Sequence, residues 1–131
     1  MTQLCERADE TLAPFSDAQV NQGLWYIIGS GASEWALAAV NGGVATADWV
    51  RCIRSFTSMF ERLFVPRCTP HLGHRSEPGA GPLNMVCYMW WDIMYLPGWQ
   101  DEAERAQINA ACLAVMRETL GLASDACRES A

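Results

Sequence analysis

Between Thr46 and Leu63 large apolar residues return every three or four positions, at Trp49, Ile53, Phe56, Phe60 and Leu63. Arg51, Arg54, Thr57, Ser58, Glu61 and Arg62 fill the positions between them. That is the 3.6-residue period of a helix with one buried face. Such a helix must lay its stripe against other elements, and no stretch of the chain alternates convincingly with period two. The expectation is an all-α bundle of five to six helices, with residues 1–131 forming a single domain. At 14.5 kDa, the area scaling gives roughly 21,000 Å² unfolded and roughly 7,000 Å² folded, enough burial for one core.

Local signals place the other helices. Ser16 and Asp17 can cap a helix from about Ala18 to Ile28, ending at Gly29-Ser30-Gly31. Ser33 can cap a short helix through Val40, stopped by Asn41-Gly42-Gly43. Pro66 is expected to end the helix that opens at Thr46. Gly81-Pro82 is a good helix entry, and Leu83 to about Met94 reads as one enclosed helix, apolar on nearly every side. Pro97-Gly98 is a turn. Asp101, Glu102 and Glu104 suit the start of a long helix carrying Ile108, Cys112, Val115 and Thr119 on one face and stopping at Gly121. A last short helix begins near Ser124. Residues 24–34 also resemble a strand, G-x-G loop and helix, but Glu34 would face a pyrophosphate badly and no parallel sheet is available.

Residues 66–82 carry four prolines, three glycines and both histidines of the chain, without periodicity. A 17-residue structureless loop is usually functional, disordered or held by something. Cys68, His71 and His74 lie three apart within it, with Cys87 downstream. Thiolates and imidazoles at short spacing are the ligands of a tetrahedral zinc site, although the spacing fits none of the finger patterns. With three protein ligands, a metal-activated water would imply a hydrolase. A nucleophilic Cys68 flanked by Arg67 and His71 is a further reading, without a family-type signature around the cysteine.

Asn84, Tyr88 and Asp92 stand at i, i+4 and i+8, on one face of the apolar 83–94 helix. A carboxylate there needs a partner, so these residues are expected to form a buried polar network that pins the long loop to the bundle. The six cysteines show no C-x-x-C pair, and Cys52, Cys87 and Cys112 fall in helical apolar patterns. Reduced, mostly buried thiols are expected rather than a disulfide framework.

Charge and aromatics bear on function. All nine basic residues are arginine and the net charge is −6. The absence of lysine removes Schiff-base and P-loop chemistry, and an acidic chain with scattered arginines is a poor match for nucleic acid. The first ten residues show no leader-like apolar run, and the stretch around Met85 to Met94 is too short to span a bilayer. A cytoplasmic protein that binds neither nucleic acid nor membrane is the expectation. Trp90 and Trp91 point about 100° apart on a helix, so both cannot face one small core. Together with Tyr95 and Trp99 they make a candidate contact surface, with Arg67 and Arg75 at its rim. These residues suggest a non-enzymatic protein-interaction module that binds a protein partner or self-associates. No cofactor is expected on that reading; the alternative is zinc bound through the 68–74 loop.

Overall fold

Why the chain folds as it does is clearest at the helix ends. Ser16 opens a helix by a reciprocal capping box: its Oγ accepts from the Gln19 N–H, and the Gln19 side chain accepts from the Ser16 N–H at 3.0 Å. Asp101 Oδ1 accepts from the Glu104 N–H at 2.9 Å, and Ser124 caps the last helix through the Cys127 N–H. The computed structural model describes residues 1–29, 34, 37, 38, 43–75, 78–94, 96 and 101–131, without the Arg75 side chain. Among them run eight α-helices of four or more residues: α1 Thr2–Glu6, α2 Ala8–Thr11, α3 Asp17–Ile28, α4 Thr46–Met59, α5 Pro82–Tyr88, α6 Trp90–Ile93, α7 Glu102–Leu120 and α8 Asp125–Ser130. No strand occurs among the described residues. The protein is all-α. The expected Ser33–Val40 helix, the residues around Gly31 and the Pro97-Gly98 turn fall largely or wholly outside the described residues.

The longest apolar stripe finds its partners as the periodicity requires. α4 packs along α7 and against α1, while α3 and α8 pack on α5. Thr46 Oγ1 donates to Glu104 at 2.8 Å, tying the starts of α4 and α7 together. Trp49, Ile53, Phe56, Phe60 and Leu63 are all buried, as their spacing predicts. The chain exposes 7066 Å² and its buried apolar residues form one cluster.

Two departures from regular helix shape the centre. Pro66 does not end the helical path, which continues from α4 through a π-helical turn, Phe60–Phe64, into a last turn, Val65–Arg67. The widened turn makes room for a proline ring that would otherwise strike the carbonyl four residues back. It also brings Phe60, Leu63 and Phe64 together on the buried side. The second departure is at Met89, whose φ of −80° and ψ of 3° break the expected 83–94 helix into α5 and α6.

That break decides where the two adjacent tryptophans go. Trp90 turns fully into the core, its indole meeting Phe56, Phe60 and Phe64 edge-on at centroid distances of 5.2, 6.4 and 5.9 Å. Trp90 is therefore not a surface contact residue, correcting the expectation from sequence. Trp91 stays part-buried against Phe56 at 6.1 Å. Asp92 is exposed, because the break takes it off the face shared by Asn84 and Tyr88. It does not belong to a buried polar network.

The geometry sets a stability test. Trp90→Ala should cost about 3–5 kcal/mol, the usual loss for emptying a large aromatic site. Urea denaturation measures it, and a loss near zero would return Trp90 to the surface.

Candidate functional site

The organising residue of the 68–81 loop is Asn84, buried in the first turn of α5. Its Oδ1 accepts from the Thr69 and Gly81 backbone N–H groups, each at 3.1 Å, gathering both arms of the loop. Its Nδ2 donates to the Thr69 carbonyl at 2.9 Å and the His71 carbonyl at 2.6 Å. Thr69 Oγ1 adds a link between the two arms of the loop, donating to the Gly79 carbonyl and accepting from the Gly81 N–H, both at 3.0 Å. A loop that must satisfy its own backbone groups is thus closed around one side-chain amide. Gly79 has φ of +99°, and a Cβ there would lie 2.8 Å from His71 Nε2. Only glycine suits that position.

The two histidines have different surroundings. His71 lies over Gly79. His74 Nδ1 pairs with Glu129 Oε1 on α8, while the other Glu129 oxygen accepts from the Gly73 N–H at 2.7 Å. The Tyr88 ring flanks His74 at 5.7 Å. Burial raises the Glu129 carboxyl, but the hydrogen bonds from His74 and from the Gly73 and His74 amides outweigh it and hold the group below its usual range.

The thiols form a separate group. Cys87 is wholly buried, its Sγ donating to the Ala126 carbonyl at 3.5 Å. The neighbouring thiols of Cys127 and Cys68, then burial, push the Cys87 thiol well up. The Cys87 thiol lowers Cys127 against the opposing effect of burial. Elsewhere burial simply raises the thiols, Cys5 to about 12 and Cys112 to about 11. Of the residues singled out for zinc, His74 pairs with Glu129 and His71 lies over Gly79. Among the described residues, no three His, Cys, Asp or Glu side chains converge on a position for a metal ion.

Arg67 is held by the fold itself. Its Nε donates to Asp17 at 2.7 Å, and its Nη groups donate to the carbonyls of Leu12 at 3.2 Å and Phe15 at 2.7 Å. The guanidinium clamps the α2–α3 turn onto the end of the α4 path. Tyr95, Trp99 and the Arg75 side chain lie outside the described residues.

The clamped turn is one wall of an open apolar groove of about 180 Å³, lined by Leu4, Leu12, Phe15, Val20, Gly23 and Ile27 among others. Phe15, next to the Ser16 cap, is 49 % exposed. Phe15 and Val20 occupy the positions flanking the capping box at which apolar side chains staple a helix entry. The sequence reading did not find this groove. Its one legible signal was Gly23, a glycine inside an otherwise good helix. Among the described residues, no helix is long and apolar enough to cross a membrane.

No protein-family model, curated protein or solved structure matches this chain.

Two variants test the loop. Asn84→Ala orphans several backbone groups at once and should cost on the order of 3 kcal/mol, read by chemical denaturation. Glu129→Gln tests the latch to α8. Because the folded carboxyl titrates below its usual value of 4.5, its contribution is present above that pH and is lost as pH falls through the folded value. The wild type should therefore exceed the variant in stability at neutral pH, with the gap closing in acid. A gap that persists unchanged to low pH would remove Glu129 as its cause.

Proposed function

We propose that this protein is a non-enzymatic protein-interaction module, and that its contact site is the apolar groove between α1–α2 and α3, which receives a helical segment of a protein partner. The observation that carries the reading is Gly23. It is exposed in the middle of α3, and a Cβ built there would meet nothing within 4 Å. Glycine at a helix interior costs about 0.5–1 kcal/mol relative to alanine. Among the described residues nothing requires that cost, whereas a close-approaching partner backbone would. The surrounding apolar lining and the half-exposed Phe15 suit an amphipathic helix laid in a groove.

The Arg67 clamp supports the same reading, since three hydrogen bonds hold one wall in place before any partner arrives. A preformed site binds without paying to order itself. A reducing, cytoplasmic setting belongs to this reading and is supported by six free cysteines. The zinc alternative has less support, because His74 is paired with Glu129 and, among the described residues, no three ligating side chains converge.

A helical peptide bearing leucines at i, i+4 and i+7 is the probe, with a control in which serines replace those leucines at the same charge. Fluorescence anisotropy should show binding of the leucine peptide alone. Gly23→Ala should stabilise the fold by about 0.5–1 kcal/mol, and Gly23→Phe should fold but weaken the peptide by about tenfold. Equal binding by both variants and the wild type would reject the groove.

A further inference from the structure

We propose that α7 pairs antiparallel with the α7 of a second copy of this chain, through an exposed seam held at each end by a Glu102–Arg117 ion pair between copies. The inference is independent of the groove, which is lined by residues of α1, α3 and the turn before α3.

α7 is 19 residues long, or about 28 Å. Ile108, Ala111, Cys112, Val115 and Thr119 form its buried face, and the helix packs on α4 and α8. A helix at the surface of a bundle ordinarily turns a polar face to water. The outer face of α7 instead reads Ala103, Ala106, Ala110, Leu113, Arg117 and Leu120, every one of them exposed. They recur at alternating intervals of three and four, which is the a and d spacing of a two-helix seam. Leu113 is 60 % exposed and Leu120 54 %, so the fold leaves both large side chains of this seam in water.

Charge and register identify the occupant. Glu102 and Arg117 share the outer face, about 22 Å apart along the axis and about 60° around it. Among the described residues neither has an ion-pair partner in its own chain. Their neighbours do have partners: Glu104 is bound by Thr46, and Glu118 by Arg54 and Thr57. A twofold axis between Asn109 and Ala110 lays each Glu102 against the partner's Arg117. The same axis sets each Leu113 on the partner's Ala106, large against small, so that the two helices can interdigitate. A parallel pair would bring Glu102 to Glu102 and Arg117 to Arg117.

The net charge of −6 opposes any meeting of two copies. The seam answers that locally, because two symmetric ion pairs form across it and the helix dipoles run opposed. One helix pair of this length buries less than the roughly 1,200 Å² at which standard stable interfaces begin. The dimer is therefore weak, with Kd on the order of 100 μM.

Sedimentation equilibrium of the intact protein from about 20 μM to about 1 mM tests it, converted to Kd as in. The average mass should rise from 14.5 kDa toward twice that value. Leu113→Glu, at an exposed helical position, should keep the circular dichroism spectrum and weaken the dimer at least about tenfold. Glu102→Arg moves the net charge toward zero, yet should weaken the dimer about fivefold, as should Arg117→Glu. The double variant Glu102→Arg/Arg117→Glu should restore it to within about twofold, since the swap rebuilds each pair only in the antiparallel register. A monomer throughout the range would overturn the proposal. So would a dimer that Leu113→Glu leaves intact, one that Glu102→Arg strengthens, or a double variant no better than the singles.

Discussion

The burial of one indole sets the geometry at the centre of this protein. Trp90 can sit among Phe56, Phe60 and Phe64 only if the α4 path presents all three rings inward and if the chain turns out of register at Met89. The π turn over Phe60–Phe64 supplies the first condition, setting the Phe60 and Phe64 rings 5.2 Å apart. The break between α5 and α6 supplies the second. Edge-to-face aromatic pairs each contribute about 0.5–1.5 kcal/mol beyond area burial, so three of them can offset one irregular helix. Among the described residues the indole N–H finds no acceptor, a cost of about 1–3 kcal/mol that the ring contacts and burial must also cover.

This explains why some of the structure is legible in the sequence and some is not. The α3, α4, α7 and α8 helices follow from periodicity and caps, because Ser16, Asp101 and Ser124 act within their own first turns. The break at Met89 carries no glycine or proline to announce it. It follows from the ring packing, which depends on residues far away in sequence. Trp90 and Asp92 are misplaced by a pattern reading for that single reason, since a continuous helix fixes every later side chain by the register of the earlier ones. The role of Asn84 is half legible. A polar side chain on an apolar helix must find partners, but here the partners are backbone groups of Thr69, His71 and Gly81, which any sequence supplies.

The same limit applies to the candidate sites. Arg67 looked like a surface cation because nothing in its neighbours marks the carbonyls of Leu12 and Phe15 as its acceptors. Cys68, His71 and His74 looked like a ligand set because they are close in sequence. Folding the loop around Asn84 sends His74 to Glu129 on α8. Short spacing in a loop that has no period says little about direction. Direction is set by whichever buried polar group the loop must satisfy.

The disposition of charge bears on the contact site proposed for the groove. Among the described residues, Arg7, Arg51, Arg54, Arg62 and Arg128 face carboxylates across exposed pairs, each contributing roughly 0–1 kcal/mol. Arg67 differs, with only 23 % of its side chain exposed and two backbone carbonyls bound besides Asp17. Its role is to shape the groove wall rather than to carry charge to a surface. With these arginines occupied by internal pairs, the chain still holds a net charge of −6. Two copies approaching each other would repel, a general obstacle to association between like-charged surfaces. If the groove beside α3 is the contact site proposed above, that charge favours a different protein, neutral or basic, over a second copy of this chain.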